Sequence, residues 1–310
     1  MRLASFRIRD GGPATIGAVV DDCYLDLAGI TDGDLPGEMN AFLAMGQVGM
    51  DKAREVLSKI GTVAVGQPHC YSADQIELRA PVPRPGKIIH TACNFDEHLE
   101  ELTGWDQPEW QSHNWGDFHF EHPTGFLEAP SSVVASGAKV AVPHFTQQLD
   151  YEIEIGIIIG KIAFRVPVAD AMDYVAGYTI FNDLSARDIQ AREHSNKVIL
   201  LGKSFNGSCP FGPHLVTPDE LSDPHNLAMT LKVNGEVRQN SNTSNMHYKT
   251  AELVSWWSNT TLEPGDIITS GSPPGVAAGM AIPNWLEPGD DIDATVAELG
   301  SLITHIVADD

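Results

Sequence analysis

The segment from Leu149 to Gly160, LDYEIEIGIIIG, places two carboxylates in the middle of an apolar, β-branched run. Because side chains on a strand alternate between its faces, Glu152 and Glu154 are predicted to point the same way, about 7 Å apart along the strand. Burying both as ions is costly unless they share a proton or bind a cation. The alternative is a solvated strand face on which both side chains lie in water.

A cation bound by these side chains would have oxygen ligands. Such a set favours Mg²⁺ or Mn²⁺, with Ca²⁺ as a further option, over zinc. A third carboxylate would complete the site, and Asp183 ends the next predicted strand in GYTIFNDLSARDIQ. Ser185 and Asp188 fit the S-x-x-D capping pattern, which favours Asp188 as a helix-start residue rather than a ligand. For Asp183, a metal ligand and an Asx turn both stay open.

Two other segments carry groups that could move a proton or bind an anion. CNFDEHLEELTGW is typical of a short helix ended by Gly104, with His98 and Glu101 three residues apart on one face. There a carboxylate can orient an imidazole and raise its basicity. The alternative is a solvated acidic helix with an incidental histidine. Lys203, in the apolar and glycine-rich segment LGKSFNGSCPFGP, could hold an anion or lie at the surface.

The elements that must position these groups are mostly strands. Three strand-like segments and a helical pattern over residues 39–59 precede the proline cluster APVPRPGK at 80–87, which is predicted to be a linker. Strand candidates dominate the rest, with a type I′ hairpin at Asn234-Gly235 and short helices near 95–103, 185–193 and 247–258. We therefore predict a mixed, β-rich α+β fold, with a small N-terminal α/β domain in residues 1–80 and a main domain in residues 81–310.

The charge balance limits the class of partner. The chain has 42 acidic and 19 basic side chains among 310 residues, a net charge of −23. This field repels phosphate backbones and anionic lipid, so nucleic acid and membranes are not expected partners. An acidic substrate would need a local positive charge in the site. The sequence has no signal-peptide pattern, no apolar run long enough for a membrane span and four scattered cysteines, which predicts a cytoplasmic protein.

Taken in order, the segments PGKIIHTACNFDEHLEE, LDYEIEIGIIIGK, GYTIFNDLSARDIQ, GKSFNGSCPFGPHLVT, VNGEVRQ and LEPGDIITSGSPPGV resemble the main domain of the fumarylacetoacetate hydrolase family. The resemblance covers about residue 80 to the C-terminus, and the first 80 residues match loosely. It implies a β-roll main domain, a homodimer and a divalent cation. The resemblance implies that the metal ligands are Glu152, Glu154 and Asp183. It implies that the catalytic residues are His98, Glu101 and Lys203, and that the substrate contacts are Gln190 and Ser272.

The chain also departs from the family pattern. Phe95 stands at a usual tyrosine, and Ser270 and Ser272 replace threonines. Glu128 stands where many members have lysine, a charge reversal near the expected entrance that bears on whether small acylpyruvates are substrates. The long segment 102–127 is predicted to form an aromatic lid wall, with a second metal site as the alternative. Its aromatic side chains are Trp105, Trp110, His113, Trp115, Phe118, His119, Phe120, His122 and Phe126.

The resemblance implies a hydrolase that cleaves a carbon–carbon bond in a β-diketo acid, such as an acylpyruvate or fumarylacetoacetate, in aromatic catabolism. The cation would hold the substrate's carboxylate and 2-oxo group, His98 would activate water, and Lys203 would stabilise the enolate. One alternative is a lyase or isomerase of the same fold, acting as a 2-oxo acid decarboxylase, tautomerase or hydratase. Another is a binding protein without activity, although such a protein would not need a base.

Overall fold

The computed structural model describes residues 1–9, 11–21, 23–60, 66–102 and 121–309. In these ranges the strands are β1 (Arg2–Ile8), β2 (Ala14–Val20), β3 (Cys23–Asp26), β4 (Cys70–Tyr71), β5 (Ile76–Arg79), β6 (Ile88–Ala92), β7 (Thr124–Glu128), β8 (Val133–Val134), β9 (Ala138–Ala141), β10 (Leu149–Asp150), β11 (Ile153–Ile159), β12 (Val175–Asn182), β13 (Ser185–Ala186), β14 (Cys209–Val216), β15 (Ala228–Val233), β16 (Glu236–Asn242), β17 (Ile267–Thr269), β18 (Asp291–Val296) and β19 (Gly300–Val307). The α-helices are α1 (Leu27–Ile30), α2 (Met39–Ala44), α3 (Gln47–Ile60), α4 (Asp96–Leu102), α5 (Arg187–Ser195) and α6 (Thr250–Trp257).

Most strands of the described ranges join one large sheet. Its order is β4-β3-β2-β1-β14-β12-β11-β17-β6-β7, with β5 paired to β1 and β8 to β14. A second sheet has the order β16-β15-β18-β19-β9, and β10 pairs with β13. Strand β1 runs antiparallel to β14, with Arg2 opposite Val216, so the N-terminal strands extend the sheet that contains β11.

Strand β11 lies between two apolar layers and sets the orientation of its side chains. Ile153, Ile155 and Ile157 belong to one buried cluster with Leu231 and Ala294 of the smaller sheet. On the other face, residues of β11 and β17 belong to a second cluster that also contains side chains of α2. The alternation predicted for this strand is thus confirmed, and the face that carries Glu154 is buried rather than solvated.

The predicted β-rich α+β class is confirmed, and so is the hairpin. Asn234 and Gly235 both have positive φ, 52° and 80°, as a type I′ turn requires, and they join β15 to β16. Segment 80–87 contains neither helix nor strand, although Val82 is fully buried. The boundary between residues 80 and 81 stays a prediction. No helix in the described part of the chain combines the length and apolarity needed to cross a membrane.

One contact between the N-terminal strands and β14 predicts a pH dependence of stability. Tyr24 Oη lies 3.3 Å from Nε2 of His214, and burial, with Arg2 nearby, lowers the pKa of His214 to about 4. The unfolded imidazole takes up its proton near pH 6.5. Neutral His214 therefore contributes about 2 to 3 kcal/mol to the free energy of unfolding. This contribution is fully present above pH 6.5 and is lost as the pH falls towards 4.

The measurement is urea unfolding of the wild type and of His214→Gln at pH 7 and pH 4.5. The wild type should lose about 2 to 3 kcal/mol more than the variant on acidification. An equal loss in both proteins would show that other groups cause the acid sensitivity.

Candidate active site

The three predicted carboxylate ligands lie together in the core of the molecule. Glu154 is on β11, Glu152 immediately precedes that strand, and Asp183 immediately follows β12, which pairs with β11. The exposed fractions are 4% for Glu152 and 0% for Glu154 and Asp183. With His90 of β6, each offers a ligand atom, and these atoms all lie within 4.8 Å of one another. The strand pairing therefore assembles a buried cluster that can hold a divalent metal ion.

Two cations neutralise part of this cluster. Lys203 Nζ donates to Glu152 Oε2 and to Ser185 Oγ, both at 2.7 Å, and also to Asp183, while Nη2 of Arg187 donates to Glu152 Oε1 at 2.6 Å. Burial raises the pKa of Glu152, but Arg187 and Lys203 outweigh it and hold that pKa well below its ordinary value. Burial lowers the pKa of Lys203, but Asp183 and Glu152 outweigh it and raise the pKa to about 12. Lys203 is therefore a fixed cation and not a base at neutral pH.

Two carboxylate oxygens of this cluster lack a hydrogen-bond donor within the described residues. Glu154 Oε2 accepts a hydrogen bond from the backbone N–H of Gly271 at 2.9 Å. Among the described residues, however, no hydrogen-bond partner reaches Glu154 Oε1 or Asp183 Oδ1, although both atoms are buried. Buried carboxylate oxygens without a donor are costly, and burial raises the pKa of Asp183 well above its ordinary value. These oxygens fit the donor set that a divalent cation requires.

The predicted histidine and glutamate of α4 face the same cluster. His98 Nδ1 lies 3.0 Å from Glu101 Oε2, and Glu101 Oε1 accepts from the backbone N–H of Gly275 at 2.9 Å. Glu101 therefore favours the tautomer with the proton on Nδ1 and an acceptor at Nε2. Nε2 lies 3.8 Å from Glu152 Oε1, and His98 is 7% exposed, so the solvated-helix alternative does not hold.

A cavity of about 70 Å³ is lined by most of the predicted site residues. Gln190 and Ser272 line it and are already held by hydrogen bonds. Gln190 Oε1 accepts from Arg187 at 3.0 Å, and Ser272 Oγ accepts from Gln239 Nε2 at 2.9 Å. Of the predicted catalytic, metal-ligand and substrate-contact residues, Glu101 and Asp183 lie outside the cavity lining, and those lining it are His98, Glu152, Glu154, Gln190, Lys203 and Ser272.

Comparison with known proteins identifies the family. The family model described as "Fumarylacetoacetate (FAA) hydrolase C-terminal" matches residues 87–307. The chain belongs to the fumarylacetoacetate hydrolase family. Solved structures of the family confirm the fold, since the fumarylacetoacetate hydrolase from Exiguobacterium antarcticum aligns with a TM-score of 0.76 and 30% identity over 99% of this chain and 100% of that one.

Relatives within this family have different activities. The oxaloacetate tautomerase fahd2 of Xenopus laevis, named as mitochondrial, is 36% identical over 99% of this chain and 90% of its own length. A maleylpyruvate hydrolase from Sphingobium sp. SYK-6, solved in complex with manganese(II) and pyruvate, aligns with a TM-score of 0.76 and 25% identity over 100% of both chains. The chain is therefore an enzyme of this family, while its reaction, its cytoplasmic location and its homodimer stay predictions.

Three residues of the site were missed by the sequence analysis of this family member. They are His90, Arg187 and Asp150, and Asp150 holds the side chain of Arg187 in place. Asp150 accepts from Arg187 Nε at 2.8 Å and from the backbone N–H groups of Ala277 and Ala278. The signal for Asp150 is its spacing, because residues 150, 152 and 154 repeat with the period of a strand face. For His90 no local signal exists.

Two sequence interpretations were wrong. Ser185 does not cap a helix, because α5 begins at Arg187 and the Ser185 hydroxyl instead accepts from Lys203. Asp188 does lie in the first turn of α5, where it accepts from Thr146 and Gln147. Glu128, expected near the entrance, is 2% exposed, and its Oε2 lies 3.6 Å from Nδ1 of His90.

The predicted aromatic lid wall is only partly described. Phe126 lines the cavity, and His122 stacks on Trp256 with ring centroids 4.4 Å apart. The other members lie outside the described residues, namely Trp105, Trp110, His113, Trp115, Phe118, His119 and Phe120.

The glycine at 279 predicts a test of how Glu101 is positioned. A Cβ on Gly279 would lie 2.1 Å from Glu101 Cδ, and Gly279 does not have a positive φ, so alanine fits the backbone but displaces the carboxylate. We expect Gly279→Ala to lower kcat about 10-fold with KM unchanged, because a misplaced partner costs transition-state orientation. Steady-state kinetics measure this. Gly12→Ala, where a Cβ would meet atoms no closer than 3.5 Å, is the control and should keep wild-type kcat.

Proposed function

We propose that this chain is a divalent-metal-dependent keto–enol tautomerase of a small 2-oxo dicarboxylic acid, with oxaloacetate as the first candidate substrate. The observation that carries the proposal is the meeting of a charged, oxygen-rich cluster and an oriented histidine on one small cavity. Similarity over nearly the whole chain to oxaloacetate tautomerases supports the choice of reaction. The volume, about 70 Å³, is on the scale of a few water-sized groups and suits a small acid.

In this proposal His98 moves the proton. Glu101 Oε2 lies 3.0 Å from Nδ1 of His98 and holds the proton on that nitrogen. Nε2 therefore has the free electron pair. Nε2 takes a proton from C3 of the keto acid, and the electron pair of that C–H bond moves towards the 2-oxo oxygen. The same Nε2 then returns the proton to that oxygen, which gives the enol, and the reverse order gives the ketone. No water or oxidant is consumed.

In this proposal positive charges at the site hold the acidic substrate, although the molecule as a whole has a net charge of −23. A dication bound by Glu152, Glu154 and Asp183 would act as a Lewis acid towards the 2-oxo group. Lys203 and Arg187 both line the cavity, and both donate hydrogen bonds to Glu152. Both keep their charge in a buried site, where a cation stabilises a developing oxyanion more than it would in water.

Hydrolysis of a carbon–carbon bond in a β-diketo acid is the second candidate. The same Nε2 of His98 could take a proton from a water that attacks the distal carbonyl. Likeness to the maleylpyruvate hydrolase favours this reaction. Only hydrolysis places an oxygen from water into a newly formed carboxylic acid.

The test uses the purified protein with Mg²⁺ or Mn²⁺. Enol-oxaloacetate is added, and the ultraviolet absorbance of the enol is followed against a protein-free control. The proposal expects relaxation to the keto form to be accelerated at least about 100-fold. A panel of 2,4-dioxo acids in ¹⁸O-labelled water is run in parallel. If the protein does not accelerate relaxation of enol-oxaloacetate but does form ¹⁸O-labelled carboxylic acid products, hydrolysis replaces tautomerisation as the proposed reaction.

A further inference from the structure

His90 occupies an unusual position inside the carboxylate cluster. It lies on β6 and is 3% exposed. Its Nε2 is 3.1 Å from Glu154 Oε1 and 3.1 Å from Asp183 Oδ2. The imidazole therefore directs one nitrogen at the two carboxylates that come from β11 and the end of β12.

The contacts around Nε2 differ from those of a simple ion pair. Glu154 Oε1 has no hydrogen-bond partner among the described residues, although Nε2 is only 3.1 Å away, so no N–H is directed at that oxygen. Asp183 Oδ2 is already occupied by Lys203. Two atoms that share one metal ion at bonds of about 2.1 Å are roughly 3.0 to 3.4 Å apart. The separations from Nε2 fall in that interval.

The other edge of the His90 ring is held by groups that keep Nε2 aimed at the cluster. Nδ1 lies 3.2 Å from Thr269 Oγ1 and 3.6 Å from Glu128 Oε2. Phe126 stacks on the ring, with centroids 4.7 Å apart and planes at 19°. A metal-bound histidine commonly directs its second nitrogen at a carboxylate or another acceptor, which fixes the tautomer. Here Thr269 Oγ1 is the partner within hydrogen-bond distance of Nδ1, and Glu128, the residue that departs from the family's lysine, adds a negative charge 3.6 Å from the same nitrogen.

We propose that His90 is a nitrogen ligand of the dication, with Glu128 as its positioning residue, and that this chain therefore selects a first-row transition ion over Mg²⁺. Carboxylates alone suit Mg²⁺, whereas an imidazole adds affinity for Mn²⁺, Co²⁺ and similar ions and little for Mg²⁺. The inference rests on the proposed function only in requiring a dication in this cluster.

The test uses the whole protein without substrate. Mn²⁺, Co²⁺ and Mg²⁺ affinities are measured by calorimetry for the wild type and His90→Gln, and pulsed electron paramagnetic resonance of bound Mn²⁺ detects nitrogen ligands. The wild type should bind Mn²⁺ and Co²⁺ at least about 10-fold more tightly than Mg²⁺. In His90→Gln, the transition-ion affinity should fall about 10- to 100-fold and the nitrogen signal should vanish, with Mg²⁺ affinity nearly unchanged.

Two variants and one labelling experiment make the assignment specific. His98→Gln should keep the nitrogen signal, and Glu128→Gln should keep it while lowering Co²⁺ affinity about 10-fold. Wild-type protein labelled with ¹⁵N-histidine should show the ¹⁵N coupling, which tests the ligand even if His90→Gln does not fold. Any of three results would overturn the proposal: no nitrogen coupling in the wild type, loss of that coupling in His98→Gln, or an equal fall in affinity for all three ions in His90→Gln. A nitrogen-coupled ion in a protein that leaves enol-oxaloacetate unchanged would count against the proposed function alone.

Discussion

Replacing Asp183 with asparagine is expected to remove dication binding and, with it, almost all activity. The side chain is fully buried, and its Oδ1 has no hydrogen-bond partner among the described residues. The amide has nearly the same shape but carries no charge to attract an ion. We expect the affinity for Mn²⁺ to fall at least about 100-fold, since even outer-shell changes cost 10- to 100-fold. Calorimetric titration measures this fall, and the enol assay should show a similar loss at limiting metal.

Thermal unfolding separates lost binding from lost folding. An ion at about 100 times its Kd adds about 2.7 kcal/mol to the stability of the protein that binds it. Mn²⁺ should therefore raise the Tm of the wild type and leave that of Asp183→Asn unchanged. Asp170→Asn changes an exposed carboxylate outside the cluster and is the control, which should respond as the wild type does. A normal Mn²⁺-dependent Tm shift in Asp183→Asn would show that Asp183 is not a ligand.

The local parts of this fold could be predicted from the sequence because their causes are local. Asn234 and Gly235 tolerate the positive φ values of a type I′ turn, and the alternation along β11 follows from the pleat. The Glu152 and Glu154 pair was conspicuous for the same reason, as two charges with the period of one strand face. The order of the strands was not predictable in this way. β17 lies between β11 and β6, a pairing that joins Ile267 to Ile88 across most of the chain.

The missing parts of the site depend on those distant pairings. His90 lies on β6 and meets Glu154 of β11 only because β17 brings β6 alongside, and Glu128 of β7 lies near His90. Nothing within a few residues of His90 indicates a metal site. The Ser185 error has the opposite cause, because a valid local capping pattern was overridden by a tertiary partner, Lys203. The charge reversal at Glu128 was visible in the sequence, but interpreting it required the buried His90, whose Nδ1 lies 3.6 Å from Glu128 Oε2.

Replacing His98 with glutamine is expected to lower kcat by about 10²- to 10⁴-fold, the usual contribution of a positioned general base. The amide fills much of the same volume but cannot take up the proton that Nε2 accepts. In the proposed function the carboxylate cluster and Lys203 hold the metal and the substrate, so KM and the Kd for Mn²⁺ should change little. Stopped-flow and steady-state measurements of enol-oxaloacetate relaxation give kcat and KM, and calorimetry gives the Kd.

This pattern distinguishes a base from a residue that only shapes the cavity. Loss of a proton acceptor lowers kcat alone, whereas a distorted cavity would raise KM or weaken metal binding as well. Glu101→Gln is the matched variant, because it keeps a hydrogen-bond acceptor near Nδ1 while removing the negative charge that stabilises the protonated imidazole. It should lose less activity than His98→Gln, by a factor of about 10 or more. Unchanged kcat in His98→Gln would remove the proton-transfer step from this residue. The first alternative base among the described residues would then be His194, a second histidine that lines the cavity, since Lys203 is a fixed cation.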